Sequence, residues 1–387
     1  MVVFILQKIK VMTVFGTRPE AIKMAPLVLE LQKHPEIEPV CCVTAQHREM
    51  LDSVLDIFHI QPDYDLNIMA PRQTLASITT KILTGLDEVL NEAKPDIVLV
   101  HGDTSTTFAS ALCAFYHGVR VGHVEAGLRS FDKFSPFPEE INRKLTGCIA
   151  DLHFCPTVNN ANNLRRENIN EEIFITGNTV IDALKTTVQP NYTFHSDALR
   201  AIDFSSYRTI LLTAHRRENY GEPLENIMHA VRDLVAAHPD CQVIYPVHLS
   251  PAVRDTVFPI LKDVPRVHLI DPIDVDDMHN LMAKSYLILT DSGGLQEEAP
   301  SLGKPVLVLR CETERPEAVD AGTVKIAGVR YDDIVAMTNE LLNDPAAYDQ
   351  MAHAVNPYGD GSASRRIVQA IIWKFRKSCA RPEDFGA

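Results

Sequence analysis

The sequence predicts an α/β protein of two consecutive doubly wound domains, and three observations carry that prediction. Its 387 residues exceed the size at which a single hydrophobic core stops growing. Short β-branched apolar runs alternate with amphipathic helical patterns, and the same theme restarts midway. The runs are apolar almost throughout instead of alternating, as parallel strands covered on both faces require.

In the first half the expected strands are "KVMTVF" (10–15), "PVCCVTA" (39–45), "DIVLVH" (96–101), "VRVGHV" (119–124), "LHFC" (152–155) and "IFIT" (173–176). Helical patterns lie between them at 19–34, 47–58, 74–93, 104–117, 138–150 and 158–167. In the second half the strands are "TILLTAH" (209–215), "QVIYPVH" (242–248), "VHLID" (267–271), "YLILTD" (286–291) and "PVLVLR" (305–310), with helices at about 223–237, 275–284 and 294–302. The join is expected near "TGNTVIDAL", giving a first domain over 1–177 and a second over 178–365. The amphipathic run "RIVQAIIWKFRK" has no strand after it, so the segment 366–387 is expected to pack back on the first domain.

Composition narrows the function. With 45% hydrophobic and 23% charged residues this is an ordinary folded chain, and its net charge of −14 argues against a general nucleic-acid or membrane-surface binder. None of the eight cysteines forms a CxxC pair, which reads as reduced thiols in a cytoplasmic protein. The start lacks a basic n-region, and Lys8 and Lys10 interrupt its apolar run, so neither a signal peptide nor a membrane span is expected.

Charged motifs gather at the carboxyl ends of the strands, where open parallel sheets bind ligands. After the first strand, "GTRPEAIK" sets Arg18 and Lys23 near a helix start, a placement that an anion would make favourable. "HGDTST" puts Asp103 at a strand end with Thr104 and Ser105 as candidate helix caps. The stretch "VEAGLRSFDKFSPFPEEINR" collects Glu125, Glu139 and Arg143 with further charges, yet carries no metal-ligand spacing. "HRREN" (215–219) follows an apolar strand where a plain turn would favour Gly, Asn or Asp, so His215 and Arg216 suit proton transfer or a pyrophosphate. In "DSGGLQEE", Ser292, Gly293 and Gly294 let a phosphate approach the backbone, while Glu297 or Glu298 suits ribose hydroxyls. "DPIDVDDM" reads as an acidic helix start and not a metal site. Neither GxGxxG nor GxxxxGK[ST] occurs, which removes support for nicotinamide redox chemistry and P-loop phosphoryl transfer.

Taken together, "VFGTRPEAIKMAPL", "TAQHREML", "VLVHGDTSTTFA", "VGHVEAGLRS", "PFPEEINR", "ITGNTVIDAL", "LLTAHRRENYGEP", "YPVHLSP", "LTDSGGLQEEAPSLGKPVLVLR" and "TERPEAVDAGT" resemble the non-hydrolysing UDP-N-acetylglucosamine 2-epimerase family. The resemblance runs from about residue 9 to about 370. It implies a glycosyltransferase-B-like pair of Rossmann-like domains facing one cleft, and interconversion of UDP-GlcNAc and UDP-ManNAc without a redox cofactor or metal. The C2 hydrogen of this substrate adjoins no carbonyl, so the route is loss of UDP from C1 with loss of the C2 proton, giving 2-acetamidoglucal, and re-addition from the other face. Such a site needs cations and N–H groups around UDP and acid/base groups near C2.

The resemblance carries over Asp103, Glu125, Glu139 and His215 as the catalytic set. One of the three carboxylates is the C2 base and another the proton donor, the division among them staying open; His215 assists the leaving diphosphate. Arg18, Lys23, Arg143, Ser292, Gly293, Gly294 and Glu298 carry over as substrate contacts. Gln46, Arg72, Arg216 and His248 correspond to a site for UDP-GlcNAc as activator, although Glu49 stands where some relatives have Gln. A homodimer serving bacterial surface polysaccharides is also implied. The rival readings are a hydrolysing epimerase releasing free ManNAc, a glycosyltransferase needing an acceptor, and a non-enzymatic UDP-sugar sensor.

Overall fold

The run that begins after Lys8 forms strand β1 (Ile9–Phe15), buried at nearly every position, so it must lie inside a sheet covered on both faces. The computed structural model describes residues 7–46, 48–377 and 379–386. The first six residues, where part of the signal-peptide question falls, and His47 of the "QHREM" segment lie outside the described residues.

Around β1 the chain adds β2 (Ile37–Val43), β3 (Tyr64–Asp65), β4 (Ile97–His101), β5 (Arg120–Val124), β6 (Leu152–Cys155) and β7 (Ile173–Ile175). All pair in parallel, in the order β3-β2-β1-β4-β5-β6-β7. The order reverses between β1 and β4, where Thr13 stands opposite Leu99. Met12, Val14, Cys42, Val98, Val100 and Val121 meet Leu86, Val89 and Ala111 of the crossover helices in one core cluster.

A second sheet repeats the plan. Strands β8 (Arg208–Thr213), β9 (Cys241–Pro246), β10 (Val267–Ile270), β11 (Leu287–Thr290), β12 (Val306–Val308) and β13 (Val324–Ile326) pair in parallel in the order β10-β9-β8-β11-β12-β13. Its reversal lies between β8 and β11, bridged by Thr213 and Thr290, whose hydroxyls are 2.6 Å apart. Ile210, Leu212, Tyr245 and Leu289 pack there against Met228 and Val231. Both halves are therefore doubly wound parallel-sheet α/β units.

The units divide differently from the expected 1–177 and 178–365. One holds residues 1–186 and 358–387, the other 187–357. The cause is the helix Thr179–Thr187, absent from the sequence expectation. Val180, Ile181, Ala183 and Leu184 are buried, and Asp182 accepts from the backbone N of Ala363 (3.1 Å) and Ser364 (2.8 Å). The final helix runs Ala363–Arg376 within the first unit, starting ahead of the expected 366. The helices Pro251–Leu261, Tyr331–Asn343 and Pro345–Ala352, like β3 and β13, were also not anticipated. Among the described residues no helix is long and apolar enough to cross a membrane.

Candidate active site

In the first unit the loops at the reversal point are locked by one buried carboxylate. Thr17 caps the helix Arg18–Gln32, and Glu20, three residues on, completes a capping box. Glu20 Oε2 accepts from Gly16 N (3.1 Å), Thr17 N (2.8 Å) and Thr17 Oγ1 (2.8 Å). Its Oε1 accepts from Thr104 Oγ1 (2.6 Å) and Thr107 Oγ1 (3.2 Å) of the loop and helix after β4. Thr104 in turn caps the helix Ser105–Tyr116 by accepting from Thr107 N. The turns carrying Arg18 and Asp103 are thus held as one piece.

On this frame stand the three predicted carboxylates. Glu125, at the end of β5, sits at φ +63, in the left-handed region that non-glycine residues enter only under constraint. Its Oε1 is bonded by Lys23 Nζ and by Asn178 Nδ2 (3.0 Å), and its Oε2 lies 3.7 Å from His101 Nε2. His101 is buried and kept neutral, its pKa lowered by desolvation to about 4 despite the nearby Glu125. Two residues past Glu125, Gly127 has φ +88, and a Cβ there would lie 2.2 Å from Asn160 O. Only glycine fits that turn.

Asp103 Oδ2 is 3.4 Å from Arg143 Nη2, and its backbone O accepts from Asn142 Nδ2 at 3.0 Å. Burial pushes its carboxyl up to about 6, opposed by Arg143 and Lys23 and reinforced by the charges of Glu125 and Glu139. An acid titrating there can hold or release a proton near neutral pH. Arg143 Nε also lies 3.4 Å from Glu140 Oε2, and Glu140 accepts from the backbone N of Ser130 and Phe131, fixing the loop before the helix Glu139–Ile149. Glu139 Oε2 is buried without a hydrogen-bond partner among the described residues. Asp103, Glu125, Glu139, Lys23 and Arg143 therefore form one electrostatic group. Arg18 is half-buried and has no ion-pair partner among the described residues.

In the second unit the organising group is Asp291, which is 0% exposed. Its Oδ2 accepts from His215 N (2.7 Å), Arg216 N (2.7 Å) and Asn219 Nδ2 (3.2 Å), which ties the loop after β8 to the end of β11. His215 stacks on His248, with centroids 5.4 Å apart, and desolvation lowers its pKa against the pull of Asp291. Gly293 opens the short helix Gly293–Glu298, and a Cβ there would stand 3.8 Å from both Arg216 Nη2 and Arg315 Nη2. Two guanidinium groups thus meet a backbone open to an anion. Glu298 Oε2 is 3.3 Å from His279 Nε2, whose Nδ1 meets Thr187 Oγ1 at 2.7 Å. Asp276 and Asp277 serve structure: they accept from Tyr192 Oη, and Asp277 also from His195 N and Ser196 N.

The remaining predicted positions are only partly gathered. Gln46 Oε1 accepts from Thr106 Oγ1 at 3.3 Å, beside the first reversal point. Arg72 is exposed on a loop at φ +56 and bonded to none of these groups. His248 Nδ1 accepts from Ser250 N at 3.1 Å. Residues overlooked in the sequence were Glu20, Asp291, Asn178 and Arg315, the last bonded through Nε to the buried Glu297. For Glu20 a signal existed, the Thr-x-x-Glu box. For Asn178 there was none.

Comparison with known proteins gives a consistent set. A model of the family described as UDP-N-acetylglucosamine 2-epimerase matches residues 29–372. The UDP-N-acetylglucosamine 2-epimerase of Bacillus subtilis is 59% identical over 381 residues, covering 98% of this chain and 99% of the relative. A crystal structure of a UDP-N-acetylglucosamine 2-epimerase superposes with a TM-score of 0.92 at 57% identity, covering 98% of this chain and 100% of the other. The Neisseria meningitidis enzyme, solved bound to UDP-GlcNAc, superposes with a TM-score of 0.84 at 51% identity over 94% of this chain and 100% of that one.

Proposed function

The chain belongs to the UDP-N-acetylglucosamine 2-epimerase family and is an isomerase, and from that premise we propose that it is of the non-hydrolysing type and interconverts UDP-GlcNAc and UDP-ManNAc by elimination and re-addition. The observation that carries the reading is the group at the first reversal point, where Asp103, with its carboxyl pushed up to about 6, shares one field with Glu125, Glu139, Lys23 and Arg143. The C1–O bond breaks with its electron pair leaving on UDP, the C2 proton passes to one carboxylate, and a C1–C2 double bond forms. In the return step a diphosphate oxygen rebonds to C1, and a second carboxyl delivers a proton to the opposite face of C2. Two acids flanking one carbon supply what a single base could not, since inversion needs a donor and an acceptor on different faces.

The remaining roles follow the charge. His215 and Arg216 assist departure of the diphosphate, Ser292, Gly293 and Gly294 receive its oxygens, and Glu298 holds the ribose hydroxyls. Arg18, Lys23 and Arg143 bind substrate and offset developing negative charge. UDP-GlcNAc also acts as activator through Gln46, Arg72, Arg216 and His248. The protein works in the cytoplasm as a homodimer and supplies ManNAc for bacterial surface polysaccharides; eight unpaired cysteines fit that compartment.

The test is to follow UDP-GlcNAc alone with the protein in deuterated water by proton NMR. UDP-ManNAc carrying deuterium at C2, with a trace of 2-acetamidoglucal and UDP, is the expected result. Epimerisation with the C2 hydrogen retained would rule out this mechanism. A rate curve that stays hyperbolic, with UDP-ManNAc converted fully in the absence of UDP-GlcNAc, would remove the activator role.

A further inference from the structure

The segment Thr176–Thr179 has no part in the chemistry above, yet it touches the carboxylate at its centre. Asn178 is 3% exposed. Its Oδ1 accepts from Val180 N at 3.1 Å, which orients the amide so that Nδ2 donates to Glu125 Oε1 at 3.0 Å. Its backbone N donates to Tyr358 O at 2.6 Å. The chain leaves the first unit after Thr186 and re-enters it at Tyr358, so Asn178 ties this carboxylate to the returning segment. The approach is close: a Cβ on Gly177 would lie 3.1 Å from Gly359 Cα.

We infer that Asn178 is a positioning residue, whose amide sets the direction in which the Glu125 carboxylate faces the substrate. Lys23, His101 and, through its charge, Asp103 also face Glu125. Lys23 attracts the carboxylate without fixing its plane, because an ammonium on a flexible stem bonds in many directions. His101 Nε2, at 3.7 Å, is beyond hydrogen-bond reach. The planar amide, itself fixed by its bond from Val180 N, donates along a set direction and so can orient the carboxylate. The inference rests on the proposed place of Glu125 among the catalytic carboxylates.

The decisive variant is Asn178→Asp, which keeps the size and the acceptor for Val180 N but replaces the donor with a negative charge. We expect kcat to fall by roughly tenfold or more. KM for UDP-GlcNAc and the affinity for UDP should change by less than about threefold. The acid limb of the kcat profile should move to higher pH, since a carboxylate facing a second one holds its proton more tightly. Asn178→Ser, a shorter neutral donor, should recover part of the rate. Wild-type kcat and an unmoved profile in Asn178→Asp would overturn the inference, as would a rate loss that only tracks loss of folded protein in thermal melts. Failure of the wild type to exchange hydrogen at C2 would instead overturn the functional reading, and this inference with it.

Discussion

His215 and Asp291 are joined twice: the backbone N of His215 donates to Asp291 Oδ2 at 2.7 Å, and its ring Nδ1 lies 3.5 Å from Asp291 Oδ1. One fully buried carboxylate therefore fixes the position of the loop and favours a proton on the imidazole, against the larger effect of burial. Burial lowers the pKa of His215, and Asp291 is the influence that raises it. Replacing Asp291 with Asn should weaken three charge-assisted bonds at once and cost about 2–4 kcal/mol of stability, read by urea denaturation. It should also lower the His215 pKa further. If protonated His215 assists the diphosphate, the basic limb of the kcat profile then moves to lower pH.

Asp103 sets stability against activity. Its carboxyl is raised in the folded protein from 3.8 to about 6, so the native state binds the proton more tightly than the unfolded chain. The resulting penalty is absent below the unfolded value and complete above the folded one. Stability should therefore fall between about pH 4 and 6 by up to roughly 3 kcal/mol from this group, less any screening of a side chain that is 26% exposed. Asp103→Asn should remove that dependence, leaving the protein at least as stable at pH 7, while kcat drops by about a hundredfold or more. Denaturation at pH 4.5 and 7, paired with rates, checks both halves. An undiminished rate would take Asp103 out of the chemistry.

Glu20 should matter to rate and stability together. Its two oxygens accept from Gly16, Thr17, Thr104 and Thr107. Glu20→Ala takes the acceptor from the backbone N–H groups of Gly16 and Thr17, while Thr107 Oγ1 keeps its bond to His101 O, a cost of roughly 2–4 kcal/mol. It also releases the turns that carry Arg18 and Asp103 from one another. We expect a lower melting temperature and a kcat loss that persists where the variant is still fully folded, measured well below its transition. A folded variant with normal kcat would show that the turns hold their alignment without the clamp.

The strands and the ends that carry the motifs were legible because β4 and β11 are apolar up to a polar last residue, and β1 and β8 are apolar over most of their length before a polar turn. The two parallel-sheet units followed from that repetition, while their glycosyltransferase-B-like class came from the family resemblance. What was not legible depends on distant partners. The helix Thr179–Thr187 has too short an amphipathic pattern to announce itself, and Asp182 becomes intelligible only once the Ala363–Arg376 helix start is seen above it. Cys148, Cys311 and Cys379 are exposed, whereas the cysteines within the apolar runs, such as Cys41, Cys42 and Cys113, are buried. The left-handed Glu125 and its bond to Asn178 arise from packing between β5 and the segment after β7. No local pattern encodes either.

Two glycines separate room for a ligand from the needs of the backbone. At Gly293 a Cβ would meet only the Arg216 and Arg315 guanidinium ends at 3.8 Å, an ordinary van der Waals contact. At Gly127 it would strike Asn160 O at 2.2 Å, with φ at +88. Gly293→Ala should therefore leave the melting temperature within a degree or two, while occupying the space a diphosphate needs. UDP affinity by calorimetry should fall by roughly tenfold, about 1.4 kcal/mol. Gly127→Ala should do the reverse in kind, destabilising the fold by about 2 kcal/mol or more before any ligand is added. Equal UDP affinity in wild type and Gly293→Ala would move the diphosphate away from this turn, and with it the role assigned to Arg216.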